Sequence, residues 1–250
     1  MPKVTIVLPT YNGEKYIKKS IDSIINQTYK DWELIIVNDC SNDKTGSIID
    51  KYSQEDCRIH IINNNENKKL PASLNIGFNC ASGEYLTWTS DDNYYSDNAI
   101  EIMCNFLDKN NQYAMVCCGM NMINEHDDIV DLFLGYEETK MYYNDFVGAC
   151  FMYRNIVKDE IGGYSTDCFL VEDYEYWLRM LVNGYKIGFI NQILYNYRCH
   201  KESLTCTRKY EISIQLSKLR SSLVRFSQIS VWFPYSISAI RCFISSCMFL

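Results

Sequence analysis

Leu86-Thr87-Trp88-Thr89-Ser90-Asp91-Asp92-Asn93 changes character halfway along. Its first residues are apolar or β-branched, and its last are hydroxyl, carboxylate and amide. A β-prone run that ends in paired acids places those acids at the carboxyl edge of a sheet, where open α/β folds hold their ligands. Two adjacent carboxylates repel, so ionising both is costly without a positive partner. A hard divalent cation with phosphate oxygens on its far side is such a partner. The simpler reading is a polar turn whose acids cap a helix that begins near Asp97.

Upstream of this turn the chain alternates regularly. Residues 3–8 form a short apolar run ended by Pro9, which reads as a buried parallel strand. Within residues 14–28, Ile17, Ile21, Ile24 and Ile25 share one helical stripe. Residues 33–37 read as a second strand. A polar loop follows, with Ser41 or Asn42 to cap a helix reaching about residue 54. Residues 58–62 read as a third strand and 63–69 as a turn. Residues 70–81 read as a helix, with Gly83 left-handed beyond its end. Residues 84–88 are the fourth strand. This alternation predicts a parallel sheet with right-handed crossovers.

Downstream the pattern loosens. A helix is expected over 97–107 and a strand over 114–117. Residues 126–144 read as an insertion or hairpin, and 146–153 are strand-like. Gly162-Gly163-Tyr164 reads as a hinge or a tight turn. A helix is expected over 172–183, short strands over 187–190 and 193–197, and a helix over 211–226. The fold class is α/β: a Rossmann-like, mostly parallel sheet flanked by helices, with a C-terminal helical appendage.

Composition narrows the function. The 250 residues are 47% hydrophobic and 22% charged, with a net charge of −7, which marks a globular chain. The charge is uneven: from residue 201 onward seven Lys and Arg stand against two Asp and Glu, so the body before it is strongly acidic. An acidic body argues against nucleic acid as a partner. The twelve Cys include no CxxC pair and no zinc-site spacing, so buried free thiols in a reducing compartment are expected. Met-Pro-Lys runs at once into a strand, which reads as no signal peptide and a cytoplasmic protein. Residues 231–250 are mostly apolar, with Pro234 near the start and Arg241 in the middle. The central charge argues against a span and for peripheral association with the inner face of the membrane. Packing of this tail on the body is the alternative.

Three polar clusters follow predicted parallel strands: Thr10-Tyr11-Asn12, Asn38-Asp39 and Asp91-Asp92-Asn93. Such loops converge on one crevice in a doubly wound sheet. No GxGxxG follows the first strand and no GxxxxGK[ST] occurs, so neither fingerprint of a phosphate-cradling loop is present. Acids in a phosphate site make sense with a metal between them.

Four ordered runs complete the reading: VLPTYNGEKYI, IIVNDCSNDKT, LPASLNIGFNCASGEYLTWTSDDN and VEDYEYWLRM. Together they resemble the family 2 glycosyltransferases of the GT-A fold, over roughly residues 3–205. The resemblance implies a transferase domain over 1–205, with a nucleotide-binding half to about residue 95 and an acceptor half beyond it. Residues 206–250 are then a helical, membrane-associating tail. It implies inverting transfer from a nucleotide-diphospho-sugar, a UDP-sugar by preference, with Mn²⁺ or Mg²⁺ as cofactor. The acceptor would be a glycan or lipid-linked sugar in bacterial surface polysaccharide synthesis.

Carried over residue by residue, Pro9, Thr10, Tyr11 and Asn12 would frame the base and ribose, and Glu14 matches an acid that follows them. Asp39 matches the acid that hydrogen-bonds the base. Asp92 would ligate the metal, and Asp91 would contact ribose or the metal shell. Asn75 falls in the segment before the fourth strand that helps bind the donor. Asp173 matches the general base, and His200 a histidine near the diphosphate. The sequence departs from the family pattern where Asn38 replaces a first Asp, where Thr89-Ser90 precede the paired acids, and where Leu74 stands for an Arg beside Asn75. Fewer carboxylates bear on metal affinity. The alternative is a sugar-nucleotide-binding module without catalysis, although such a module has no use for the base.

Overall fold

The computed structural model describes residues 1–135 and 146–232, with side chains to residue 221. The first four strands are β1 (Val4–Thr10), β2 (Trp32–Asn38), β3 (Ile59–Asn63) and β4 (Tyr85–Trp88). They are mutually parallel in the order β3-β2-β1-β4. Between them run α1 (Ile17–Ile25), α2 (Thr45–Glu55) and α3 (Leu70–Asn79). Alternate residues of the strands serve opposite faces, as the period of two requires. Ile6, Leu8, Leu34 and Ile36 pack with Ile21 and Ile24 of α1 and Ile49 of α2. Val7, Ile35 and Val37 pack with Leu74 and Phe78 of α3. Both faces are covered, so these strands are apolar runs without alternation. Each fully buried Ile or Val side chain contributes roughly 1.5–3 kcal/mol.

The second half completes the same sheet with mixed direction. Its elements are β5 (Tyr94–Tyr95), α4 (Ala99–Lys109), β6 (Met115–Ile123), β7 (Ile129–Phe133), β8 (Phe151–Arg154), α5 (Asn155–Ile161), α6 (Glu172–Val182) and β9 (Ile187–Arg198). The order continues from β4 as β8-β6-β9-β5, with β7 beside β6. Strand β8 is antiparallel to both β4 and β6, while β9 is parallel to β6. Two helices follow, α7 (Leu204–Thr207) and α8 (Lys209–Trp232). Leu216 and Leu219 of α8 rest on the core face that also holds Trp177 of α6. No described helix is long and apolar enough to cross a membrane.

Several local expectations are corrected. Helix α1 begins at Ile17, three residues later than the sequence reading, because residues 14–16 form a turn. The N-cap of α2 is Lys44, not Ser41 or Asn42, and the first helical N–H, that of Thr45, donates to Oδ1 of Asp43 just before it at 2.9 Å. Gly83 is not left-handed: a Cβ there would stand 2.5 Å from Thr5 N, so close approach to β1 is what demands glycine. That junction also explains an acid at the foot of the sheet, since Glu33 Oε1 accepts from Thr5 Oγ1 and from Ser82 N and Oγ.

The two short strands near the end are one strand, β9, with a bulge at Asn191-Gln192 where its register against β6 shifts. The strand expected over 146–153 is paired only from Phe151, and β5 and α5 were not foreseen. The irregular region supplies the hairpin strand β7, while residues 136–145 lie outside the described residues. The described cysteines are free as expected, but Cys57, Cys80 and Cys206 are exposed, not buried. Of the expected membrane-associating tail over 206–250, residues 206–232 are described and form the end of α7 and α8, while the apolar stretch from 233 onward lies outside the described residues.

Candidate active site

The three polar clusters do converge, because β1, β2 and β4 are parallel neighbours and present their carboxyl ends together. Pro9 and Thr10 are the last residues of β1 and are buried, while Tyr11 is half exposed at the rim. Asn12 takes a left-handed φ of 56°. It bridges to the second loop, with its N donating to Ser41 Oγ at 3.0 Å and its Oδ1 accepting from Asn42 N at 2.8 Å. Glu14 continues the seam, its Oε2 accepting from Lys44 N at 2.9 Å. Asn12 and Glu14 therefore lock the loop after β1 to the loop after β2.

Asp39, at the end of β2, is almost fully enclosed by donors from its own chain. Its Oδ1 accepts from Asn64 Nδ2 at 2.8 Å and Lys68 N at 2.9 Å, and its Oδ2 from Lys69 N at 2.9 Å. A carboxylate offers about four acceptor positions, so one remains for an external N–H. Asn75 points elsewhere: its side chain pairs with both the N and the O of Tyr164 at 2.8 Å, fixing the Gly162-Gly163 loop against α3.

The paired acids sit opposite Thr10. Asp91 Oδ2 accepts from Thr10 Oγ1, and Gly13 leaves room for that carboxylate, since a Cβ there would clash with it. Burial, and then the charge of Asp92, push the Asp91 carboxyl up to about 7, against the bonds from Thr10 and the Tyr11 amide. Asp92 Oδ2 meets His200 Nε2 at 2.9 Å, while Asp92 Oδ1 is buried with no partner among the described residues. The bond to Asp92 raises the His200 pKa, with burial opposing it. No cluster of three or more His, Cys, Asp or Glu suited to a metal ion occurs among the described residues. An orphaned carboxylate oxygen beside an imidazole nevertheless fits a divalent cation that takes its remaining ligands from phosphate and water.

Asp173 stands in the first turn of α6, where the helix dipole favours its ionised form. Burial works the other way and raises its pKa. Its neighbour Glu172 is buried, with Oε2 unpartnered among the described residues. Burial, and then Asp173, push the Glu172 carboxyl up to about 8. Tyr197 senses both acid groups: burial raises its pKa to about 12, and the charges of Asp92 and Asp173 add to that.

Sequence reasoning missed two contributors. Tyr16 stacks edge-on against His200 with ring centroids 5.4 Å apart. Arg198 is buried behind the acid turn, its Nε donating to Asp92 O at 3.0 Å. Its signal was an Arg two residues before His200, at the end of an apolar strand where an unpaired charge is not tolerated.

The family model for glycosyl transferase family 2 matches residues 5–172. An uncharacterized glycosyltransferase of Rickettsia typhi is 31% identical over 217 residues, covering 82% of this chain and 67% of that protein. S. aureus TarS 1–349 in complex with UDP-GlcNAc superposes with a TM-score of 0.71 at 19% identity, covering 87% of this chain and 66% of that one. A mannosyltransferase of Pyrobaculum calidifontis in complex with GDP-Man and Mn²⁺ gives 0.71 at 20% identity, covering 86% and 63%. The chain thus spans about two thirds of the length of these proteins. Sequence match and shared sheet agree: the chain belongs to the family 2 glycosyltransferases and has their GT-A fold.

Proposed function

We propose that the protein transfers a sugar from a nucleotide-diphospho-sugar to a hydroxyl of a glycan or lipid-linked acceptor, by a single inverting displacement. The observation that carries this reading is Asp92, whose buried Oδ1, beside Asp91 at the carboxyl edge of the sheet, lacks a partner among the described residues. Asp92, with Asp91 beside it and His200 in contact, would hold a divalent cation, which supplies charge neutralisation for the departing diphosphate. Thr10, Tyr11 and Asn12 line the entry for nucleoside, and the free acceptor position of Asp39 suits a base N–H. UDP is our preferred nucleotide, on the resemblance of the Asp39 motif. The neighbour bound to GDP-Man makes GDP the competitor to test.

Asp173 would take the acceptor proton, a role worth roughly 10²–10⁴-fold in rate. Its raised pKa makes it a stronger base than an exposed aspartate, while the helix N-terminus keeps it ionisable. The basic, apolar C-terminal segment would bring the enzyme to a lipid-linked acceptor at the membrane surface. Substitution Asp173→Asn tests the enzyme against a binding module. We expect turnover to fall by about 10²-fold or more with nucleotide binding retained. Turnover equal to that of the unaltered protein would remove Asp173 from the mechanism.

A further inference from the structure

Arg198 closes β9 with its side chain 1% exposed. A cation so deeply buried persists only when its donors are satisfied. Its Nε donates to Asp92 O at 3.0 Å, Nη1 to Asn124 O at 2.9 Å and Nη2 to Asp127 Oδ1 at 2.6 Å. The guanidinium lies 4.4 Å from the centre of the Tyr16 ring. The backbone N of the same residue donates to Asn93 Oδ1 at 2.7 Å. Arg198 therefore holds two turns at once: the one that carries the paired acids, and the one that joins β6 to β7.

The second turn is firmly built. Asn124 Oδ1 accepts from His126 N at 2.8 Å and Asp128 N at 3.0 Å. Asp127 takes a left-handed φ of 69°, which directs its carboxylate at the guanidinium and at Lys19 Nζ, 2.7 Å away. The Asp127 side chain is still 40% exposed, whereas the Arg198 it holds is not. A surface carboxylate on a hairpin thus orients a buried cation, and that cation orients the backbone of Asp92.

We propose that Arg198 is a positioning residue that couples the β6–β7 hairpin to the acid turn, so that Asp127 sets the geometry of the Asp91-Asp92 pair from outside the site. The consequence for metal binding rests on the role proposed above for Asp92, but the mechanical coupling does not. By contact, Asp127 reaches the acid turn through Arg198, and its other partner, Lys19, lies over the ring of Tyr94 just beyond that turn. Arg198→Lys distinguishes the two routes.

Hydrogen exchange on the full chain tests this, followed by calorimetry with Mn²⁺ and UDP or GDP. Three variants are compared with the unaltered protein: Asp127→Gly, Glu125→Gln and Arg198→Lys. Glycine accepts the left-handed backbone at 127 without strain, so the change removes the carboxylate with its bonds to Arg198 and Lys19 and leaves the turn conformation allowed. Glu125 lies on the same turn and pairs with Lys15 at 3.3 Å, so its variant removes a charge without touching Arg198. We expect Asp127→Gly to speed exchange in peptides covering residues 89–96 and to weaken Mn²⁺-dependent nucleotide binding about tenfold, as loss of an outer-shell partner does. Glu125→Gln leaves both readouts and the unfolding temperature unchanged. Asp127→Gly lowers the unfolding temperature, because the buried Arg198 loses its carboxylate, and its faster exchange is concentrated in residues 89–96 and the β6–β7 turn. Arg198→Lys exceeds Asp127→Gly in both readouts, and if it does not fold, Asp127→Gly decides alone. Unchanged exchange over 89–96 in Asp127→Gly, or an equal effect from Glu125→Gln, overturns the proposal. If the unaltered protein binds neither nucleotide with Mn²⁺, the metal role of Asp92 fails, and the exchange result still decides the coupling.

Discussion

Asp39 and Asp92 both follow parallel strands at the same edge of the sheet, yet the chain treats them differently. Asp39 receives three N–H donors from residues 64, 68 and 69. Asp92 receives one imidazole, and its other oxygen is buried without a partner among the described residues. A carboxylate whose partners come from its own chain shapes structure first, and here it fixes the loop before α3. A carboxylate left with an empty oxygen in a buried place is an unfavourable arrangement until something binds. On the function proposed above, the contrast separates an acid that builds the pocket from an acid that waits for a ligand.

Asp92→Asn strains this contrast hardest. It should weaken Mn²⁺-dependent nucleotide binding by more than the roughly 100-fold that loss of an outer-shell partner costs. Thermal stability should hold or rise, because a repulsive neighbour of Asp91 is gone. A melting curve beside a binding isotherm checks both.

Asp39→Asn should show the opposite balance. An amide cannot accept from all three donors, so unfolding should become easier by about 2 kcal/mol, read from urea denaturation. If Asp39→Asn proved as stable as the unaltered protein, the structural half of the comparison would be lost.

Glu172 sharpens the same logic through pH. Its carboxyl is raised to about 8 in the folded chain, against an ordinary unfolded value of 4.5. The folded state therefore holds a proton that the unfolded state releases between those values. This group's contribution is full below pH 4.5 and is lost as pH rises through 8. Glu172→Gln cannot ionise, so its stability relative to the unaltered protein should increase steadily from pH 5 to pH 8. A difference that stays flat with pH would show that Glu172 is solvated in the folded state.

The smallest effect is expected at Thr10. Thr10→Val removes one donor to Asp91 and should lift that carboxyl further. Nucleotide binding at pH 7 should fall by a factor of about 5, on the scale of one hydrogen bond.

The first half of the chain was legible because its signals are local. Apolar runs such as Leu34 to Val37 are buried on both faces, and the polar loops after them mark the carboxyl edge without any knowledge of the partner strands. The second half depends on pairings that the sequence does not announce. Strand β5 is only Tyr94 and Tyr95, held by β9 a hundred residues later. Strand β9 reads as two strands from sequence alone because Asn191 and Gln192 form a bulge, which looks like a turn when its partner β6 is unknown. Within the candidate site, Asp39, Asp91 and Asp92 are legible as polar ends of parallel strands, whereas Asp173 and His200 enter through the family resemblance. That Asn75 clamps Tyr164, and that Arg198 ties two distant turns together, follows only from tertiary contacts.

The reading of Asp92 as the acid that waits for a ligand can be settled by calorimetric titration of the full chain with UDP, GDP, TDP and CMP, each with and without Mn²⁺. We predict that one nucleotide, UDP by preference, binds when Mn²⁺ is present and not in its absence. Binding of the same strength with and without the metal, or no nucleotide binding by a protein with intact circular dichroism, would contradict it.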